Sequence, residues 1–290
     1  MSHWWKLCGI VFCLCLSHSQ AAEPATLSLD ETTRTRCLKV LRDGLKSDEF
    51  WPSMHAAEGL SVSGFGAEVK ESVARKVPTE TDDQRRCGLA RELVRAGDAA
   101  RAQTLFDILG GQNPHGHTHA AESLFKIRQV GDGALLKRAM ARGDQPKLAM
   151  MAAAALARSG NAEALVLLRK FAKDEDGENA KIAAWVLARV GNRSDLPALR
   201  DGARKFNEPL TKAYFEHALA ALGDQDGLAA LVRNLGHADP AVRTYACEFA
   251  PDARAISGKT ALLKLLDDDV LDIRIRAAQA LIQLSQSRSD

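Results

Sequence analysis

The sequence predicts an all-α fold, a right-handed α-solenoid of about eight helix pairs. Three observations support this prediction. One apolar position, called the anchor here, returns every 30 to 33 residues, as Leu60, Leu93, Leu124, Leu156, Leu187, Leu219, Phe249 and Leu281. Alanine stands three residues before every anchor except Leu219, and glycine follows five of the anchors by four residues. Strand-type alternation is absent, and a constant period of this length is typical of stacked helical repeats.

Each period predicts two helices, and the second one carries the anchor. Around Leu187, the residues Ala183, Ala184 and Val190 fall on one helical face, and Gly191 then ends the helix in a left-handed cap. The predicted second helices span 50–63, 82–96, 116–130, 145–159, 178–190, 208–222, 239–250 and 270–284. The predicted first helices span 31–46, 66–76, 98–109, 132–142, 161–173, 194–205, 225–235 and 256–267. Proline near the start of five second helices agrees with this phase.

Two units depart from the pattern. Gly131 follows Leu124 by seven residues instead of four, which predicts about one extra helical turn. In the seventh unit Phe249 replaces leucine, and residues 250–252 replace the glycine. The first unit and the last two are the least regular. Terminal repeats of an array diverge because one of their sides faces water.

Several segments of the chain resemble HEAT repeats. They are Asp239-Pro240-Ala241-Val242-Arg243, the stretch from Ile273 to Leu281, and the recurring Ala-Ala-x-x-Leu blocks. The resemblance covers roughly residues 31–285 and is to the short bacterial kind called PBS-lyase HEAT-like. It implies an all-helical array. Members of that family include bilin lyases, protein scaffolds and a diiron hydroxylase, so the resemblance implies no single function.

The first 22 residues have the pattern of a cleaved secretory signal peptide. Lys6 precedes an apolar run at 7–16, and Ser19-Gln20-Ala21 offers small residues to a signal peptidase. The run is shorter than the roughly 20 residues of a membrane span, and an uncleaved anchor is the alternative. We therefore predict one solenoid domain over 23–290, in the periplasm or secreted.

Three cysteines, Cys37, Cys87 and Cys247, follow the predicted leader. An odd number in an exported chain leaves at least one thiol without an internal partner. Cys37 and Cys87 both follow arginines, and the sequence leaves open whether they form a disulfide or are two separate buried residues. Cys247 precedes Glu248, whose charge disfavours a reactive thiolate.

The formal net charge of +2 argues against a protein that binds nucleic acid through bulk charge. We therefore expect a protein or peptide partner, and a monomer or weak oligomer. No later segment has the length and hydropathy of a transmembrane helix.

Helical geometry indicates which side chains line the concave surface. Positions two, five and nine residues before the anchor, and two after it, point away from the core-facing side. Three successive units place apolar and aromatic residues there: Met151, Ile182, Trp185, Tyr214 and His217. Such a patch on a wet surface predicts a binding site for an extended peptide or a partner helix. The alternative is that curvature buries these residues as ordinary core.

A row of cations occupies the position two residues after four consecutive anchors. Its members are Arg95, Lys126, Arg158 and Arg189. Such a row can pair with carboxylate, sulfate, phosphate or uronate groups of a ligand. The alternative is structural, because the macrodipole favours cations in the last turn of any helix.

Two copies of a His/Glu motif form the candidate metal ligands. His55 and Glu58 share one helical face, as do His119 and Glu122, and His115 precedes the second copy. The alternative is a surface His-Glu hydrogen bond. The diiron hydroxylase of the resembled family carries a His-Glu dipeptide. In this sequence no histidine is directly followed by glutamate.

Together these patterns favour an exported, non-enzymatic scaffold that binds a protein or peptide on its concave surface and needs no cofactor. The alternative is a metal-dependent or bilin-lyase-like enzyme that uses the His/Glu motifs. The sequence contains neither a Gly-x-Ser-x-Gly elbow nor a phosphate-binding glycine loop.

Overall fold

The computed structural model describes residues 26–286, which form sixteen α-helices and no β-strand. The helices are α1 Glu31–Leu45, α2 Phe50–Val62, α3 Gly66–Ala74, α4 Asp83–Arg95, α5 Ala102–Gly110, α6 His117–Lys126, α7 Ala134–Met140, α8 Pro146–Arg158, α9 Ala162–Phe171, α10 Gly177–Val190, α11 Leu196–Lys205, α12 Pro209–Ala221, α13 Gln225–Asn234, α14 Pro240–Phe249, α15 Lys259–Leu265 and α16 Leu271–Ser285. The predicted leader at 1–22 lies outside the described residues. Within that part of the chain, no helix combines the length and apolar character that a membrane crossing requires.

The helices form the eight consecutive pairs that the sequence predicts. Each even-numbered helix packs against the odd-numbered helix before it and carries one buried anchor. In α10, the Asp176 side chain accepts a hydrogen bond from the amide of Glu178 and so caps the first turn. One face of α10 then buries Ala183, Ala184 and Leu187 against the neighbouring helices. The prediction of an all-α solenoid is confirmed.

The third unit does not contain the extra turn expected from its displaced glycine. Helix α6 ends at Lys126, and Arg128 adopts the left-handed backbone region with a φ of 58°. Arg128 stands four residues after its anchor, where four other units place a glycine with φ between 88° and 96°: Gly64, Gly97, Gly160 and Gly223. The prediction of a longer helix is therefore wrong, because an arginine takes the conformation that glycine takes elsewhere. Gly191, expected to be left-handed as well, is extended with a φ of −80°.

The eight inner helices, α2 through α16 with even numbers, close into a ring. Each inner helix packs against the next, and α16 packs against both α1 and α2. At this junction the Leu27 amide donates to the Leu284 carbonyl over 2.9 Å. His55 Nδ1 also lies 2.6 Å from Asp272 Oδ1 there. The expectation that terminal units turn one side to water is wrong, since the first and last units cover each other.

The three cysteines of the described part, Cys37, Cys87 and Cys247, are free and buried. Of the two alternatives for Cys37 and Cys87, the structure shows separate buried residues. Burial raises the pKa of Cys37 to about 11 and that of Cys87 to about 12. Both side chains therefore remain neutral thiols packed in the core.

Candidate functional site

Two cavities open from the middle of the ring. The aromatic cavity, of about 300 Å³, has a wall made of Met151, Ile182, Trp185, Tyr214 and Tyr245. The basic cavity, of about 340 Å³, is lined on one side by Arg95, Arg128, Arg158 and Arg189. Four side chains line both cavities and so form the layer between them: Lys126, Trp185, Glu248 and Arg276.

Closure of the ring buries the patch that was expected to be exposed. Trp185 is 7% exposed, Tyr214 6% and His217 0%. The expectation that these three side chains face solvent is wrong, because inner helices that are not neighbours in sequence meet across the narrow centre. The Trp185 Nε1 group of α10 donates to Glu248 Oε1 of α14 over 2.7 Å, past the intervening α12. The Tyr214 ring centroid lies 4.6 Å from that of Tyr245.

Four of the five predicted patch residues nevertheless line one cavity. Met151, Ile182, Trp185 and Tyr214 come from three successive inner helices and form the apolar wall of the aromatic cavity. His217 does not line it. Its ring lies against Phe249, at a centroid distance of 5.2 Å, and it belongs to the core behind the wall.

The opposite wall of the aromatic cavity is polar. His55 and Asp272, bonded to each other across the ring junction, lie on this side together with Glu122. Burial and the nearby Arg276 charge lower the pKa of His55, although Asp272 opposes this shift. At neutral pH the imidazole is therefore uncharged and can donate or accept a hydrogen bond.

A charged network fills the layer between the cavities. Arg276 Nη1 lies 3.5 Å from Glu58 Oε2, and Arg276 Nη2 lies 3.6 Å from Glu248 Oε2. Glu58 is also 3.0 Å from Arg95, and Glu248 is 3.1 Å from Arg189. Two carboxylates and three guanidinium groups from different repeats thus contact one another in the ring centre.

The network keeps its members ionised despite burial. Burial alone would raise the pKa of Glu58, but Arg95 and Arg276 hold that pKa well below its usual value. Burial likewise opposes ionisation of Glu248, and Arg276 and Arg189 lower its pKa. Burial disfavours the Arg276 cation, yet Glu248 and Glu58 raise its pKa above the ordinary value. Each charge therefore depends on the others.

The four cations of the predicted row all line the basic cavity. Three of them are paired internally: Arg95 with Glu58 at 3.0 Å, Lys126 with Glu122 at 2.6 Å, and Arg189 with Asp252 at 2.9 Å. Arg158 differs from them. Its Nη1 donates to the Phe125 carbonyl over 3.1 Å, and its guanidinium carbon lies 3.9 Å from the Phe125 ring centroid.

The five candidate metal ligands do not converge. His115 Nε2 contacts Asp82 at 2.9 Å, while His119 stacks on Trp51 at 5.3 Å. The two glutamates of the motif are held by cations, Glu58 by Arg95 and Glu122 by Lys126. Burial opposes the ionisation of Glu122, but Lys126 and Arg91 lower its pKa to about 2.

Within residues 26–286, no group of three or more His, Cys, Asp and Glu side chains is arranged to hold a metal ion. The expected His-Glu hydrogen bond is not formed in the first motif either, since His55 bonds Asp272 and Glu58 pairs with Arg95.

Residues 133–220, which span α7 to α12, match the family model for HEAT repeats. This segment of the chain consists of HEAT repeats. Among solved structures it is similar to human deoxyhypusine hydroxylase in complex with glycerol, with 18% identity and a TM-score of 0.41 over 87% of this chain and 97% of that chain. It is also similar to an engineered protein, with 20% identity and a TM-score of 0.26 over 86% of this chain and 96% of that chain. None of the curated proteins matches the sequence significantly.

The matched HEAT segment supplies the predicted part of the apolar wall, since α8, α10 and α12 lie inside it. The sequence interpretation missed several residues outside this segment. Asp272 and Arg276 stand nine and five residues before Leu281, at positions that helical phase already assigns to the inner face. Tyr245 and Glu248 belong to the irregular seventh unit, and the repeat pattern assigned no inner-face role to their positions.

Proposed function

We propose that this HEAT-repeat protein is a non-enzymatic scaffold that receives an apolar side chain of an extended peptide in the aromatic cavity. The observation that carries the proposal is the apolar wall of Met151, Ile182, Trp185 and Tyr214, which faces polar groups across a cavity at the ring centre. A concavity in which an apolar wall is combined with fixed polar groups is a common form of a binding site.

The size of the aromatic cavity favours an extended segment over a helix. The cavity holds about 300 Å³, at the lower end of the range of ligand pockets, which suits one or two side chains of a peptide. A partner helix would need an elongated groove, whereas the lining of this cavity comes from inner helices on all sides, from α2 to α16.

The charges around the aromatic cavity favour an uncharged ligand group. Glu122 is paired with Lys126 at 2.6 Å, and Asp272 is bonded to His55 at 2.6 Å. Glu248 is held by Arg189 and by the Trp185 indole. Since these groups already have partners, a charged ligand group would have to break an existing pair, whereas an apolar group would pack on the aromatic wall.

In residues 26–286 the side chains that a metal-dependent or lyase-type enzyme would use are engaged in other contacts. The carboxylates that would serve as ligands, Glu58 and Glu122, are neutralised by Arg95 and Lys126. His115 and His119 lie in separate contacts, against Asp82 and Trp51.

Binding can be tested with peptides selected from a random display library against the purified protein. We expect the selected peptides to share an apolar or aromatic residue. Replacing Ile182 with arginine should weaken their binding by at least about tenfold, because the new charge fills the cavity without a partner. Fluorescence of a Trp51→Phe variant isolates Trp185 in the described part of the chain and reports occupancy of the cavity.

The matched control is Val166→Arg, which places the same charge on the outer helix α9, at a valine that is 64% exposed. It should bind like the wild type. Selected peptides that bind Ile182→Arg as tightly as the wild-type protein would refute the proposal.

We also propose that the protein is exported to the periplasm or secreted, because the first 22 residues match the three-part pattern of a signal peptide. N-terminal analysis of the protein recovered from its native cells should find a new terminus near residue 23. Recovery of the intact leader in the cytosolic fraction would contradict export.

A further inference from the structure

The basic cavity carries an excess of positive charge. Among the residues that the structure describes there, three acidic side chains face six cations: Glu58, Glu248 and Asp252 against Arg95, Lys126, Arg128, Arg158, Arg189 and Arg276. The two cavities thus differ in chemistry although they share one central layer. The basic cavity lies on the side of that layer where the inner helices end.

Four of these six cations are satisfied within the protein. Arg95, Arg189 and Arg276 share the carboxylates of the central network, and Lys126 pairs with Glu122. In residues 26–286, neither Arg158 nor Arg128 forms an ion pair with a carboxylate. These two guanidinium groups are therefore the ones available to an anion from outside.

Arg158 is held in place without a carboxylate partner. Its guanidinium group stacks on the Phe125 ring and donates to the Phe125 carbonyl, which fixes its orientation. Burial, followed by repulsion from Arg128 and Arg189, lowers the pKa of Arg158 to about 10, although Asp252 acts in the opposite direction. An anion placed here would relieve this repulsion.

Arg128 reaches the cavity from a backbone conformation that four other repeats give to glycine. Its φ of 58° is costly for a residue with a side chain, whereas Gly64, Gly97, Gly160 and Gly223 adopt it freely. A strained non-glycine residue is informative when its side chain contributes to a site. Here the strained residue adds a second unpaired guanidinium group next to Arg158.

We propose that Arg128 and Arg158 form a binding site for a phosphate- or sulfate-type oxyanion in the basic cavity. Guanidinium groups bind such oxyanions through paired hydrogen bonds, and two of them match the charge of a dianion. The site is independent of peptide binding in the aromatic cavity, so either proposal can fail alone.

The test is calorimetric titration of the full-length protein with sodium phosphate, sodium sulfate and sodium acetate at constant ionic strength. We expect saturable binding of phosphate, sulfate or both, and weaker binding of acetate, which carries a single charge. Preference between the first two ions distinguishes a phosphate site from a sulfate site. Absence of saturable binding up to about 10 mM of either dianion would overturn the proposal.

Two variants locate the site. Arg158→Gln and Arg128→Gly should each weaken dianion binding by at least about tenfold. Arg128→Gly introduces the residue that four other repeats use, so its thermal midpoint should not fall and its lost binding cannot come from unfolding. The control is Arg142→Gln, which removes an exposed arginine paired with Asp144 elsewhere on the surface and should leave binding unchanged. Equal binding by Arg128→Gly and the wild-type protein would also overturn the proposal.

Discussion

Replacing Arg276 with methionine is expected to lower the free energy of unfolding by about 3 kcal/mol at neutral pH. Arg276 is 6% exposed and contacts both Glu58 and Glu248 in the central layer. Methionine preserves much of the side-chain volume but removes the charge that both carboxylates share. Removing one partner of a buried ion pair costs about 3–5 kcal/mol. We expect the lower end, because Glu58 keeps Arg95 and Glu248 keeps Arg189.

The unfolding free energy lost in Arg276→Met should be larger at neutral pH than in acid. In the wild-type protein the pKa values of Glu58 and Glu248 are lowered, so their contribution to stability is present above pH 4.5 and disappears as the pH falls. Without Arg276 that contribution is smaller. The difference between Arg276→Met and the wild type should therefore be largest near pH 7 and shrink below about pH 4.

Urea denaturation at several pH values measures this difference. The control is Arg204→Met, since Arg204 and its partner Asp201 are both 73% exposed and the pair should contribute little. An Arg276→Met protein as stable as wild type at pH 7 would show that the central charges do not depend on one another.

The second large effect is the loss of folding stability that the buried His217 causes as the pH falls. Burial lowers the pKa of His217 to about 3, and the Glu248 charge only partly opposes this shift. In the unfolded chain the imidazole of His217 binds a proton near pH 6.5, whereas in the folded protein it does so only near pH 3. His217 therefore supports full stability above pH 6.5, and that support falls by about 1.4 kcal/mol for each pH unit below it.

His217→Gln should remove this contribution and flatten the pH dependence of unfolding between about pH 6 and pH 4. The comparison is one of slopes, so it holds even if the variant is less stable at every pH. Glutamine can still receive a hydrogen bond from Asn234, whose Nδ2 lies 3.2 Å from His217 Nε2. A His217→Gln slope equal to that of the wild type would contradict the prediction.

The helical plan could be predicted because it is local. The spacing of Ala183, Ala184, Leu187 and Val190 fixes which face of α10 is buried, and a buried anchor recurs in every unit. Apolar periodicity therefore gave the order of the pairs and the side of each inner helix that points to the centre. It also placed Met151 and Ile182 on one surface, and the structure puts them in one cavity.

The closure of the ring could not be predicted from that periodicity. Whether an array stays open depends on the small rotation between successive units, which accumulates over the whole chain and is not encoded in the period. Contacts such as Trp185 with Glu248, or His55 with Asp272, join units far apart in sequence. For this reason the burial of Trp185 and Tyr214 and the internal pairing of the cations appear only in the structure.

The contact between the first and last repeats changes how this array can come apart. A linear array can fray from its ends, since a terminal unit is held by a single neighbour. Here α16 is held by α14 on one side and by α1 and α2 on the other. Detaching any one pair breaks two interfaces at once, so we infer that the repeats lose structure together and not one after another.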